Sequence, residues 1–309
     1  MTTWGVVSMV RGPTEDVLRF VAHHLDLGAE TIYIYLDEPN QRTFEALKAH
    51  PSVCVQVCDD VYWQKLKRTR PDKHQVRQSV NATYAYRDTH LDWLAHIDVD
   101  EFLWSPTPIS DVLSDIGDKV HAARVRPIEA LAGGEDLYKA HVPQSPARTQ
   151  LIEMLYPNYG AFVLGGFLSH VQGKLFARTG LKRLSFRIHN LFQNGKLLPC
   201  KYELAQVDLC HRHAPDWDHW ITHYPFRLDR GSYQAGMAPN APREMGGLNK
   251  NELLSWIESE HGEDGLRAFF NEMSGADPDV RARLEQNGLI RHRALNLDGK
   301  LAKHFPGSC

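Results

Sequence analysis

The first 36 residues constrain the fold most. Residues 4–10 form an apolar, β-branched run that reads as a strand, closed by Arg11-Gly12-Pro13. A helix is expected from Thr14, with Glu15 and Asp16 in its first turn, where the helix dipole favours acids. Val17, Phe20, Val21, His24 and Leu25 recur at helical spacing, and Gly28 suits the left-handed residue that ends such a helix. Residues 31–36 are β-branched and aromatic, apolar on both faces, as a central parallel strand requires. Strand, helix and strand in this order make a βαβ unit.

The rhythm continues. A short helix is expected over 43–49 and a strand over 53–57. A capping box of Asp72 and Gln75 should open a helix that runs to about residue 90, before a strand over 93–97. Alternating β and α elements argue for a mostly parallel, Rossmann-like sheet with helices on both faces. Ligands bind beyond the carboxyl ends of such strands. Past residue 130 the rhythm weakens, and residues 131–180 are rich in Gly, Pro and aromatics, as long loops around a site would be. The last 60 residues are expected to be helical, with a capping box of Asn249 and Glu252 and a helix opened by Asp277-Pro278 and ended before Gly288.

The strand over 93–97 leads into His96-Ile97-Asp98-Val99-Asp100-Glu101-Phe102-Leu103, three carboxylates within four residues. Acids at strand ends also serve as turn residues and caps. Burying them at the end of a core strand is costly unless a cation or hydrogen-bond donors meet them. A hard divalent cation whose shell is completed by phosphate oxygens is one solution. The acids therefore point to a metal-dependent enzyme acting on a phosphorylated donor.

With 309 residues the chain has room for one large domain or two modest ones. A net charge of -3 gives no electrostatic footprint for nucleic acid. Cys54, Cys58, Cys200, Cys210 and Cys309 are scattered and odd in number, which argues against a disulfide framework. The N-terminus lacks a basic region followed by an apolar segment, and no run approaches the ~18 apolar residues of a membrane span. A cytoplasmic enzyme with reduced thiols is expected, with peripheral contact at the inner membrane left open.

These features resemble a glycosyltransferase of GT-A fold, most of all the bacterial family 2-like group related to family 92. Four segments carry the resemblance. Val7-Ser8-Met9-Val10-Arg11 opens the nucleotide-binding half. Phe20 to Gly28 followed by Ile32-Tyr33-Ile34-Tyr35 is similar to "W-x-x-H-x-x-L-G…I-x-I-Y". Trp93 to Leu103 is similar to "W-L-x-x-I-D-x-D-E-F". Gly173-Lys174-Leu175-Phe176-Ala177-Arg178 with Ile188-His189 resembles "G-K-x-x-x-R…I-H". Where related sequences read Y-D-N after the second strand, this chain has Tyr35-Leu36-Asp37-Glu38-Pro39-Asn40, so its base-contacting loop is expected to differ.

The resemblance implies a GT-A catalytic domain over 1–245, with a nucleotide-sugar half to about 130 and an acceptor half beyond, and a helical extension over 246–309. It implies transfer of a sugar from a nucleotide diphosphate sugar, with UDP favoured, to a glycan, lipid-linked or other hydroxyl acceptor, by inversion. Mn²⁺ or Mg²⁺ would be the cofactor. Asp98 would meet the donor ribose or the metal's water shell, and Asp100 the metal. His211, or His189, would complete the metal shell. Val10, Arg11, Asp37, Arg77 and Lys174 are candidate donor contacts. Lys174 also opens a basic stretch with Arg178, Lys182, Arg183 and Arg187 that could meet a diphosphate or an anionic acceptor. An inverting transfer needs a carboxylate base near the acceptor hydroxyl; Glu153, Asp208, Asp216 and Asp218 are candidates. Alternatives are a non-catalytic carbohydrate-binding or scaffold protein of the same fold, and a D-x-D phosphatase. The phosphatase is disfavoured because its motif sits near the N-terminus. A nucleotidyltransferase should carry a Gly-rich phosphate loop that Arg11-Gly12-Pro13 does not supply.

Overall fold

The computed structural model describes residues 1–134 and 136–307; Cys309 lies outside them. Along the chain run β1 (Trp4–Val10), α1 (Thr14–Asp26), β2 (Thr31–Leu36), α2 (Gln41–Lys48), β3 (Val53–Val57), α3 (Asp60–Lys65), α4 (His74–Asp88), β4 (Trp93–His96), β5 (Glu101–Trp104), α5 (Ile109–Ser114), β6 (Ala122–Ala130), β7 (Leu137–Ala140) and α6 (Arg148–Leu155). Then come β8 (Lys174–Arg178), β9 (Leu184–Phe186), β10 (Leu191–Gln193), β11 (Lys196–Leu198), β12 (Tyr202–His211), α7 (Trp217–Asp229), α8 (Lys250–Met273), α9 (Pro278–Gln286), β13 (Ile290–His292) and α10 (Leu297–His304).

By contacts the chain forms two units. The first is Met1–Arg126, Gln172–Leu209 and Leu295–Cys309; the second is Pro127–Val171 and Cys210–Ala294. This division differs from the expected boundary near residue 245. The last helix is the reason: Lys303 Nζ of α10 lies 2.5 Å from Asp26 of α1, and Asp298 accepts from Arg19 at 2.8 Å. The C-terminus is therefore part of the first unit.

In the first unit the sheet order is β6-β8-β4-β1-β2-β3. β3, β2, β1 and β4 are mutually parallel, and β8 runs antiparallel between β4 and β6. The expected mixed α/β architecture with a mostly parallel sheet is what the chain adopts. α1 packs against α2, and α4 against β1 and β9; the right-handed rule for parallel crossovers sets helices on opposite faces once the strand order reverses. The order 3-2-1-4 reverses direction at β1, so the topological switch point lies between β1 and β4, where ligands of open α/β sheets bind. Gly28 ends the first helical segment with φ +91°, as its position suggested.

Two helix starts diverge in outcome. Asn249 and Glu252 form the expected reciprocal capping box at the head of α8. The expected box of Asp72 and Gln75 does not form: α4 starts at His74 behind Lys73, with no side-chain cap. The carbonyls of Pro71 and Asp72 instead accept from the Arg77 guanidinium at 2.9 and 2.8 Å, so this turn is shaped from inside the helix.

Histidines at the end of α1 fix the strand that follows the acids. His23 Nε2 donates to Leu103 O at 2.7 Å, and its Nδ1 accepts from Lys300 Nζ at 3.2 Å. His24 Nδ1 donates to Phe20 O at 2.8 Å and its Nε2 accepts from Leu103 N at 3.4 Å. Both rings are thus held neutral. Burial, reinforced by Lys300, pushes His23 down to about 4. Its folded-state value lies below the ordinary 6.5, so the unfolded chain binds the proton more readily. The stabilisation is complete above about pH 6.5 and is lost as pH falls towards 4. A shift of this size on a side chain this buried is worth up to roughly 3 kcal/mol. Unfolding midpoints measured in urea between pH 7 and 4 should fall more steeply in wild type than in His23→Gln; parallel profiles would contradict the assignment.

The second unit contains the later half of β6, with β7 antiparallel to it and β13 antiparallel to β7. Its apolar core joins Leu155, Tyr156, Trp220, Leu254, Phe269 and Phe270. A buried polar network shapes its 166–169 segment. Glu129 accepts from the backbone of Leu168 and Ser169, at 2.9 and 2.7 Å, and pairs with fully buried Lys139 at 3.4 Å. Lys139 also donates to Gly166 O at 2.7 Å, and Lys250 donates to the carbonyls of Phe167, Leu168 and Ser169. Burial pushes Lys250 down to about 8.

Candidate functional site

The site is built from the carboxyl edge of the first unit's sheet. Register pairs Val7 of β1 with His96 of β4, so the loop holding Asp98 and Asp100 leaves the sheet next to the β1–α1 turn. The loop is tight: Glu101 N donates to Asp98 O at 3.0 Å, and Asp98 N donates to Glu101 Oε2 at 2.9 Å.

Lys174 meets these acids. Its Nζ lies 2.5 Å from Asp98 Oδ2 and 3.3 Å from Glu101 Oε2. The lysine side chain is 1 % exposed and that of Glu101 0 %, whereas Asp98 keeps 29 %. Gln78 of α4 donates to Asp98 Oδ1 at 2.8 Å. Burial alone would raise the Asp98 pKa, but the Lys174 charge and hydrogen bond more than offset it, and Asp98 titrates well below the usual carboxylate range. Burial alone would lower Lys174; Asp98 and Glu101 instead raise it to about 12. The cation that makes these buried acids tolerable is the protein's own ammonium. Asp100, the third acid, is half-buried beside them.

A backbone constraint presents Lys174. Gly173, just before β8, has φ +70°, and a Cβ there would stand 2.0 Å from Val125 O. Only glycine lets β8 begin so close to β6. Gly173 O also accepts from His189 Nδ1 at 2.9 Å. Burial, then Lys174, lowers His189 to about 4, so the ring is a neutral hydrogen-bonding wall at pH 7. His96 is lowered to about 3 by the same two causes.

Asp37 and Arg77 come together as a pair. Arg77 Nη2 and Nε lie 2.6 and 2.7 Å from the two oxygens of Asp37, and Arg70 Nη2 lies 3.0 Å from Oδ1. With its Nη1 on the carbonyls of Pro71 and Asp72, Arg77 is a clamp joining the end of β2 to the head of α4. Arg77 and Asp37, both candidate donor contacts, thus share one buried ion pair. Val10 and Arg11 line a cavity of about 100 Å³ with Leu36 and Thr43. Arg11 pairs with Glu38 at 3.1 Å, both exposed.

The basic stretch does not act as one face, because its members alternate between core and solvent. Lys174 is buried. Arg178 donates to Val120 O and Ile116 O and lies 4.4 Å over the Trp93 ring. Lys182 and Arg183 are exposed, and Arg187 lies 3.9 Å over the Phe192 ring.

The other candidates lie in the second unit, apart from Asp208, which belongs to the first. His211 is buried at the end of β12, with ring centroids 5.7 Å from His170 and 5.3 Å from His213. His213 accepts from Tyr233 Oη at 2.9 Å. Asp216 is the N-cap of α7, its Oδ1 accepting from His219 N at 2.7 Å, and Asp218 is exposed in the first turn. Glu153 is exposed on α6, and Asp208 is half-buried in β12. Sequence reading missed Gln78 as a partner of Asp98, because a lone glutamine on an amphipathic helix has no local signature.

No family model matches the sequence. No curated protein matches it either. Among solved structures, a mycobacterial protein is 15% identical over 80% of this chain and 82% of that one, with a TM-score of 0.38. A putative glucose-1-phosphate thymidylyltransferase from Bacillus anthracis is 8% identical over 57% and 72%, with a TM-score of 0.32. The glycosyltransferase GlyE of Streptococcus pneumoniae is 13% identical over 40% and 30%, with a TM-score of 0.27. Likenesses this coarse say nothing about the chemistry of this chain. No helix among the described residues is long and apolar enough to cross a membrane.

Proposed function

We propose that this protein transfers a sugar from a nucleotide diphosphate sugar to a hydroxyl acceptor, with Mn²⁺ or Mg²⁺ as cofactor. One observation carries the reading. The Asp98–Asp100 loop stands at the carboxyl edge beside the switch point, and Lys174 keeps Asp98 ionised there. The carboxylates fit a hard divalent cation, with one fixed by Lys174 and Gln78 and another, Asp100, half-exposed. The loop stays acidic with Lys174 counted, three carboxylates facing one ammonium. A bound divalent cation would offset the charge that develops on a diphosphate leaving group.

The protein's own residues supply the rest. Lys174 and Gln78 orient Asp98 so that its remaining lone pairs face the donor, and the Asp37–Arg77 clamp fixes the loop after β2 where a nucleoside would lie. Asp218, Glu153 and Asp208 remain the candidate bases, since the Asp216 carboxylate caps α7. Whether the transfer inverts is read from the product anomer.

Thermal unfolding with UDP-, GDP-, CMP- and dTDP-sugars tests the reading. One nucleotide, with UDP expected, should raise Tm by several degrees with Mn²⁺ or Mg²⁺ and not with EDTA, by mass action on the native state. No metal-dependent shift with any of them would sink the proposal and favour a non-catalytic carbohydrate-binding protein.

A further inference from the structure

A groove of the first unit is lined by residues of α4. Its volume is about 700 Å³, and its other wall is the 185–190 segment. That volume falls within the range of small-molecule sites, roughly 300–1,000 Å³. Three guanidiniums line it, from Arg68, Arg87 and Arg187, and no carboxylate does. None of the three forms an ion pair with a carboxylate among the described residues.

Two of the arginines are held by rings rather than by acids. Arg187 lies 3.9 Å over Phe192, and Arg87 lies 5.8 Å from the centroid of Tyr84, itself a half-buried wall of the groove. A guanidinium stacked on a ring keeps its N–H edges available for planar oxyanions, which it binds in a forked geometry. His189 also lines the groove, and its Nδ1 bonds the carbonyl before Lys174, so the groove reaches the neighbourhood of the acid loop.

We infer that this groove binds an acidic saccharide as the acceptor, its phosphate or carboxylate groups lying on Arg68, Arg87 and Arg187 and a sugar face on Tyr84. The inference rests on the transferase reading above and narrows its acceptor to an anionic one. A neutral sugar would leave three like charges facing one another without a counter-charge. A folded protein partner would need a broad, open patch, whereas this is a groove whose charged lining is three guanidiniums.

Titration calorimetry on the full chain at low salt tests this without any donor. Trigalacturonate and maltose 1-phosphate serve as the carboxylate and phosphate probes, with maltotriose as the neutral control. At least one acidic probe should bind, maltotriose should not, and Arg87→Ala/Arg187→Ala should weaken binding by at least ~10-fold. UDP with Mn²⁺ should bind the double variant as it binds wild type. The two acidic probes differ in outcome according to which oxyanion the groove prefers, and binding of either one supports it. Equal binding of maltotriose, or no binding of either acid, overturns the acceptor assignment while leaving the donor reading intact. Loss of UDP binding in the double variant overturns it too, since the groove would then belong to the donor. A Tm of the variant equal to that of wild type excludes misfolding as the cause; Arg87→Lys/Arg187→Lys, which keeps the charge, should recover part of the affinity if that Tm falls.

Discussion

Asp100→Asn is expected to lower metal-dependent turnover of the nucleotide sugar by on the order of 10²–10³-fold, the usual effect of removing one group that stabilises transition-state charge. The fold should hardly notice, because Asp100 is half-exposed and a substitution at such a position is usually worth less than about 0.5 kcal/mol. Loss of turnover with an unchanged Tm would mark Asp100 as part of the reacting machinery. Turnover within a few-fold of wild type, or turnover indifferent to EDTA, would remove Asp100 from the cation site. His211→Ala belongs in the same experiment. The chain order that makes His211 a ligand requires a comparable loss, and unchanged turnover would take it out of the metal shell.

Lys174→Met should have the largest effect on stability. It strips the ammonium from two acids, one of them fully buried, while keeping the apolar stem. Removing one partner of a buried pair costs about 3–5 kcal/mol. The lower end is expected here, because Asp98 is 29 % exposed and can recruit water. The urea midpoint at pH 7 should drop accordingly. Adding Glu101→Gln to Lys174→Met should restore part of the loss, since it removes the charge left stranded. A loss below about 1 kcal/mol, or no recovery in the double variant, would mean that the acids find other partners.

Much of the fold was legible in its sequence. The βαβ start, the left-handed Gly28, the capping box at Asn249 and the helix opened by Asp277-Pro278 all follow from local periodicity and end chemistry, and all are in place. The acid loop was legible as a cluster of carboxylates at a strand end but not as a balance of charges. Its counter-ion, Lys174, lies 76 residues further on, and nothing local says which lysine will meet which acid. The same reason explains the false capping box at Asp72. A side chain five residues ahead, Arg77, took the carbonyls of that turn because Asp37, 40 residues back, had fixed its position. The last helix read as part of a C-terminal extension because amphipathicity identifies a buried face without identifying what buries it. The partner was α1, through Asp26, Lys300 and Lys303.

His23 and His24 read Leu103 as a donor–acceptor pair, one ring taking its carbonyl and the other its amide. Sliding β5 by a single residue would turn the peptide over and present each ring with the wrong partner, so the strand has one permitted phase. β4 is likewise phased by its register on β1. The acid loop is thus strung between two anchored ends, and its length behaves as a ruler that spaces Asp98 from Asp100. A residue inserted there could not be passed on to either strand; it would have to bulge within the loop, moving the acids and sparing the sheet.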